Sequence, residues 1–258
     1  MASVFEKHGL HYLSPSTINL WISQPAMCLL KIAGFSDGQV GAAAWRGTAA
    51  DRAITKAAFE PEISNDELIT QALNVFDDRH SESTNEQDET KVTKERTAVA
   101  SYVKVGADFY RSFNEPPIED QGRVKVHIGD FNVPFIGYFD LLYKDKVRDI
   151  KTVGRAVNSL TQAASRQASI YALGTGREPW IDYVTTKEVM SYQVEQPDYW
   201  LRQIEIATKG LEHVLSFSDD TIECCQLVYP DLDHWMWGDG MKAIAKDIWN
   251  MENHDETK

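Results

Sequence analysis

Gly137-Tyr-Phe-Asp-Leu-Leu-Tyr-Lys-Asp-Lys-Val-Arg-Asp-Ile-Lys151 reads as two β-strands joined by a tight turn at Lys144-Asp145-Lys146. The first strand delivers Asp140, and the second delivers Asp149 and Lys151. Side chains two apart on a strand share a face. Asp149 and Lys151 therefore emerge together while apolar Ile150 points the other way, into a core. Two acids and a lysine on one sheet face are the parts for holding a divalent cation and activating a water beside it.

Working outward, hydrophobic period two begins at Ile118. Val124, Val126 and Ile128 alternate with polar residues, and Gly129-Asp130 marks a turn. Phe131 to Tyr143 is the next strand and Val147 to Lys151 the third, an antiparallel meander. A helix is expected over Ser159 to Gly174, where Gln167 and Tyr171 lie one turn apart on the side that carries Leu160, Ala163 and Ala164. Trp180 to Thr186 and Met190 to Val194 read as further strands, Pro197 to Ser216 as a long helix, and Met241 to Met251 as a short final one.

Upstream the pattern is helical. Ser14 is placed to cap a helix whose first residue is Pro15, and Pro25 should end or bend it. Gly41 to Glu60 is rich in alanine and suited to close packing. Within it Gly47 and Asp51 share a face, which makes Asp51 either a surface charge or an acid facing the site. Asp66 to Phe76 and Val92 to Asn114 carry helical spacing. His80 to Thr90, polar and aperiodic, reads as a solvated loop. The segments add up to one domain over 1–258: a mainly helical part over 1–117, a core of meander, helix and strands over 118–195, and a helical part over 196–258.

The formal net charge is -13, an unusual average for a protein that grips nucleic acid through counterion release. The acids are unevenly placed, however, concentrated between Glu60 and Glu95. Lys144, Lys146, Arg148, Lys151, Arg155 and Arg166 gather near the opening stretch, and a local field can differ from the average. No apolar run reaches the ~20 residues of a membrane span, and the first residues do not read as a secretory signal. Three cysteines suit a reducing interior. The expectation is a cytoplasmic protein, of a bacterial or phage-infected cell, with no membrane partner.

The order helix, meander, helix, strand resembles the PD-(D/E)xK nuclease superfamily, and within it the RecB-like and phage-type exonuclease branch. Asp140 matches the first acid of the motif, with Phe139 where the proline would stand. Asp149-Ile150-Lys151 matches the (D/E)xK element, and Gln167-Ala-Ser-Ile-Tyr171 the Q-x-x-x-Y element. Gly47-Thr-Ala-Ala-Asp51 matches an upstream G-x-x-x-(H/E) helix, with aspartate where RecB-like members carry histidine. Glu119 sits where many members carry a glutamate. The likeness spans about Ser14 to Lys187 and leaves the tail unexplained.

The resemblance implies an α/β (α+β) restriction-endonuclease-like core, a central mixed β-sheet flanked by helices, with helical N- and C-terminal additions. It implies Mg²⁺ or Mn²⁺ held by Asp140, Asp149 and the backbone carbonyl of Ile150, with Asp51 as a further ligand. Lys151 would orient or deprotonate the attacking water, Gln167 would orient the site, and Tyr171 would contact the nucleic acid. The expected activity is a metal-dependent deoxyribonuclease, an exonuclease rather than a site-specific endonuclease, acting on single- or double-stranded ends in recombination, repair or phage DNA processing. A homo-oligomer or a recombination partner protein would fit that role. A catalytically silent relative that binds DNA ends or a protein is the alternative.

Some RecB-type nucleases bind an iron–sulfur cluster through one early and three late cysteines. Here only Cys28, Cys224 and Cys225 are present, one thiolate short of the usual four, so no cluster is expected. Trp235 and Trp237 beside His234 suit either stacking on bases or packing of a C-terminal flap.

Overall fold

The computed structural model describes residues 2–36, 40–83 and 88–251. In chain order the helices and strands are α1 (Val4–Lys7), α2 (Pro15–Ser23), α3 (Pro25–Ile32), α4 (Ala42–Phe59), α5 (Asn65–Ser81), α6 (Glu89–Arg111), β1 (Glu119–Asp120), β2 (Arg123–Val126) and β3 (Phe135–Tyr138). They continue with β4 (Leu141–Leu142), β5 (Lys146–Thr152), α7 (Gln162–Thr175), β6 (Glu178–Val184), β7 (Val189–Gln193), α8 (Pro197–Leu215), α9 (Thr221–Cys225) and α10 (Asp239–Ile248). The chain forms two compact units interleaved in sequence. One comprises residues 1–38, 125–137 and 198–258, and the other 39–124 and 138–197.

Local chemistry accounts for several boundaries. The Ser14 hydroxyl accepts the Thr17 N–H at 3.0 Å and Pro15 opens α2, as its fixed φ favours. α2 stops just before Pro25, as expected, and Pro25 opens α3 directly after it. Thr161 caps α7 at its start, and Gly176, at φ +66, ends it in the left-handed conformation. The helices on either side of the predicted His80–Thr90 loop reach into it. α5 runs to Ser81 and α6 starts at Glu89, capped by Asp88; the centre of that loop, 84–87, lies outside the described residues.

The second unit is mixed α/β. Its sheet has the order β1-β4-β5-β6-β7, antiparallel throughout except for the parallel pair β5–β6. α7 supplies the crossover that a parallel pair requires. On one face Leu141, Tyr143, Ile150 and Val184 join an apolar core built from α4, α5 and α6, including Ala50, Ile54, Phe76 and Val103. α4 and α6 approach closely at Gly106, where an added β-carbon would come within 2.3 Å of Ile54 Cδ1. α7 packs on the opposite face of β5 and β6. Helices thus flank a central mixed sheet.

The expected meander is divided. β2 pairs with β3 in a separate two-stranded sheet, and the strand predicted over Phe131 to Tyr143 breaks at Phe139 and Asp140. The cause is visible in the side chains. Phe139 is buried beside Gly122, where a β-carbon would lie 2.1 Å from its ring. Asp140 turns its carboxylate back to accept the Ile150 N–H at 2.5 Å. The strand bends at these two residues, yet their N–H groups still donate across it, Phe139 to the Gly122 carbonyl at 3.0 Å and Asp140 to the Arg148 carbonyl at 3.2 Å.

In the other unit, Trp237 is buried and its indole N–H donates to Gln24 Oε1 at 2.9 Å, whereas Trp235 is 84% exposed. The two tryptophans therefore divide the two readings of the tail: one packs and the other faces solvent. Cys28, Cys224 and Cys225 are buried free thiols, and burial pushes Cys28 up to about 12. No helix among the described residues is long and apolar enough to cross a membrane.

Candidate active site

Alternation along β5 settles which side chains meet. Ile150 enters the apolar core, and Arg148, two residues earlier, lies on the same face. Arg148 is buried against Asp182 of β6, with Nη1 at 2.7 Å from both carboxylate oxygens. Tyr110 and Ser191 donate to the same carboxylate at 2.5 and 2.6 Å. Asp149 and Lys151 are left on the α7 face, joined by an ion pair at 2.7 Å.

Four elements deliver acids and amides to one cleft of roughly 720 Å³. α4 brings Asp51, with Gly47 one turn before it. The break after β3 brings Asp140, β5 brings Asp149, Ile150 and Lys151, and α7 brings Gln167. The Gln167 amide donates to Asp149 Oδ1 at 3.2 Å and to the Tyr171 hydroxyl at 2.6 Å. Gln121, which follows β1, donates to Asp51 Oδ2 at 3.3 Å, and Asp51 Oδ1 is buried without a hydrogen-bond partner among the described residues.

Burial first, and neighbouring carboxylates second, hold these acids above their ordinary range. Burial raises Asp51 to about 7, and the neighbouring Asp149 adds to the rise against opposition from Lys151. Burial, Asp149 and Asp51 together push Asp140 well above the usual value, although the Ile150 N–H works against them. Asp149 is raised by burial, with Lys151 opposing. Burial alone would lower Lys151, but Asp149, Asp140 and Asp51 outweigh it and hold the ammonium above its ordinary value.

The site sets three carboxyl groups against one ammonium, and its oxygen donors suit a hard divalent cation that keeps several waters. One oxygen of Asp140 is engaged by the Ile150 N–H, and Lys151 meets one oxygen of Asp149. Among the described residues no three or more His, Cys, Asp or Glu are drawn together closely enough to form a ready metal cage.

Of the residues expected to bind metal or act in catalysis, Asp51, Asp140, Asp149, Ile150, Lys151 and Gln167 line this cleft, and Tyr171 reaches it through Gln167. Tyr171 is 2% exposed and packs edge-on near Phe139, so its ring is buried and its hydroxyl serves Gln167; the contact with a ligand expected of it has no exposed surface to use. Glu119 is exposed on β1 and is not among the cleft residues. The positive charge near the hairpin is also smaller than the sequence implies. Arg148 and Arg166 are buried, Lys151 pairs with Asp149, and Lys146 pairs with Asp145 at 3.4 Å. Sequence reasoning missed Gln121, because Asp120-Gln121-Gly122 carries only a turn signal. It also missed Asp182, whose mark is a lone acid inside an apolar strand.

No family model matches the chain, and no curated protein matches it. Among solved structures, the crystal structure of SSO0001 is similar with a TM-score of 0.32 and 14% identity, over 47% of this chain and 65% of that one. The chain thus spans less than two thirds of that structure, and a likeness of this size carries no argument about family or activity.

Proposed function

We propose that the protein is a Mg²⁺- or Mn²⁺-dependent deoxyribonuclease of the PD-(D/E)xK type, acting as an exonuclease on DNA ends. The observation that carries this reading is the convergence of Asp51, Asp140, Asp149 and Lys151 on one cleft, with Gln167 bonded to Asp149. In this reading the five-stranded sheet with its flanking helices is a restriction-endonuclease-like core. Asp140, Asp149, the Ile150 carbonyl and Asp51 would hold the cation, which when bound supplies Lewis-acid neutralisation of the phosphate.

The chain's own residues divide the remaining work. Lys151, paired with Asp149 at 2.7 Å, would orient or deprotonate the attacking water and steady negative charge growing on the phosphate. Gln167, itself fixed by Tyr171, holds Asp149 Oδ1. Thr152, Thr161 and the small residues Ala43, Ala44 and Gly47 line the rest of the cleft.

The test is a time course with end-labelled single- and double-stranded DNA. Cleavage is expected with Mn²⁺ or Mg²⁺ and none with EDTA, while Asp149→Asn and Lys151→Met fold but do not cut. Cleavage in EDTA, or by either variant at the wild-type rate, would sink the reading. The alternative is a catalytically silent protein that binds DNA ends or a protein partner. DNA retained in a gel shift with no cleavage under any metal would establish that alternative.

A further inference from the structure

Gln121 adopts φ +49, in the left-handed region. That conformation crowds any residue with a β-carbon, and glycine or asparagine accepts it with least strain. Its neighbour Gly122 cannot exchange roles with it, since a β-carbon there would lie 2.1 Å from the Phe139 ring. The turn after β1 therefore uses its glycine where packing demands it and leaves the left-handed position to a glutamine. Strain kept at such a position directs attention to what the side chain does.

Both halves of Gln121 are engaged. Its main-chain N–H donates to the Asp140 carbonyl at 3.0 Å, and its side-chain amide donates to Asp51 Oδ2 at 3.3 Å. One residue thus ties the backbone of one proposed metal ligand to the carboxylate of another. With Oδ2 occupied, Oδ1 is the Asp51 oxygen left without a hydrogen-bond partner. A neutral amide suits this task, because it fixes a carboxylate without cancelling the charge that a cation would bind.

We propose that Gln121 is a positioning residue that orients the Asp51 carboxylate so that Oδ1 is presented to a divalent cation. The inference rests on the reading of Asp51 as a metal ligand given above. It assigns to the turn after β1 a part in metal affinity that its exposed position would not suggest.

Gln121→Asn separates the roles of backbone and side chain. Asparagine suits the left-handed turn, but its amide is one methylene too short to reach Asp51. Thermal unfolding in EDTA reads the fold. Mn²⁺ titration without DNA, followed by thermal shift and by calorimetry, reads the metal site. The variant is expected to unfold in EDTA at or above the wild-type temperature and to need about tenfold more Mn²⁺ for half of its shift. That factor is the low end of what losing a partner of a metal ligand costs. Saturating Mn²⁺ should restore cleavage with KM for DNA unchanged. Unchanged Mn²⁺ affinity would make Gln121 a turn residue only, and lower stability in EDTA would make it a strut of the turn; either overturns the proposal. A wild-type protein indifferent to Mn²⁺ would remove the metal reading itself. A responsive wild type matched by the variant removes this inference alone.

Discussion

Replacing Asp51 by asparagine should stabilise the metal-free protein at pH 8 while weakening its response to metal. Asp51 is half-buried, its Oδ1 has no hydrogen-bond partner among the described residues, and its carboxyl is raised from 3.8 to about 7, by burial first and Asp149 second. Its folded-state value thus exceeds its unfolded one, so the folded state binds more protons between them. The stability linked to this group is fully present below about pH 3.8, falls as pH rises toward about 7, and stays lost above it. Each tenfold change in proton affinity is worth about 1.4 kcal/mol. Discounted for partial solvent screening, the ionised carboxylate costs about 1–2 kcal/mol at pH 8.

Asparagine removes that cost. For a chain of this size about 2–4 °C accompany each kcal/mol, so the expected rise in Tm is about 2–8 °C in EDTA at pH 8, shrinking toward zero near pH 4. Magnesium should reverse the order, since a ligand at one hundred times its Kd adds about 2.7 kcal/mol to a protein that holds it. Scanning calorimetry of both proteins at pH 5 and 8, with EDTA and with about 10 mM Mg²⁺ (about one hundred times a Kd of about 0.1 mM), supplies the four comparisons. A variant less stable than wild type in EDTA at pH 8, or an equal Mg²⁺ shift in both proteins, would overturn this account of Asp51.

Three other outcomes are expected, two from the proposed DNA cleavage and one from packing alone. Lys151→Met should lower kcat by about 10²–10⁴ through loss of the group beside the water, while circular dichroism and KM for DNA stay near wild type. Asp182→Asn removes the charge that Arg148 meets at 2.7 Å in a buried setting, so urea unfolding should show a loss of about 3–5 kcal/mol. Tyr171→Phe removes the hydroxyl that meets Gln167 at 2.6 Å and, because the ring is buried, should lower kcat without changing DNA binding in a gel-shift titration.

Much of the fold was legible because its signals are local. Ser14 and Pro15 mark a helix start, alanine spacing marks α4, and the alternation Arg148, Asp149, Ile150, Lys151 assigns faces without any tertiary knowledge. The break at Phe139 and Asp140 was not legible, since it depends on a ring packed beside Gly122, far from any periodicity. Charge was misjudged for a related reason. Arg148 and Arg166 look like surface cations in a sequence, and only burial reveals that they are not. The candidate site fared better, because its acids sit at the spacings that strands and helices impose. Gln121 fared worse, because a turn residue has no spacing to announce it.

The Arg148–Asp182 pair bears on the site through register. A slip of one residue in β5 would exchange its faces, sending Asp149 and Lys151 into the apolar core and Arg148 into the cleft. Apolar contacts alone resist such a slip weakly here, because Val147 and Ile150 stand on opposite faces and both are buried. The buried arginine resists it strongly. It finds an acid, two hydroxyl-supported oxygens and the Phe113 and Trp180 rings only in the observed register. In a slipped register Asp182, fully buried, would lose its cation and stand as a charge without a partner. The parallel pairing of Asp149 with Ile181 and of Ile150 with Asp182 is therefore enforced from the face opposite the cleft. Polar groups in the core hold the strand whose other face carries Asp149 and Lys151.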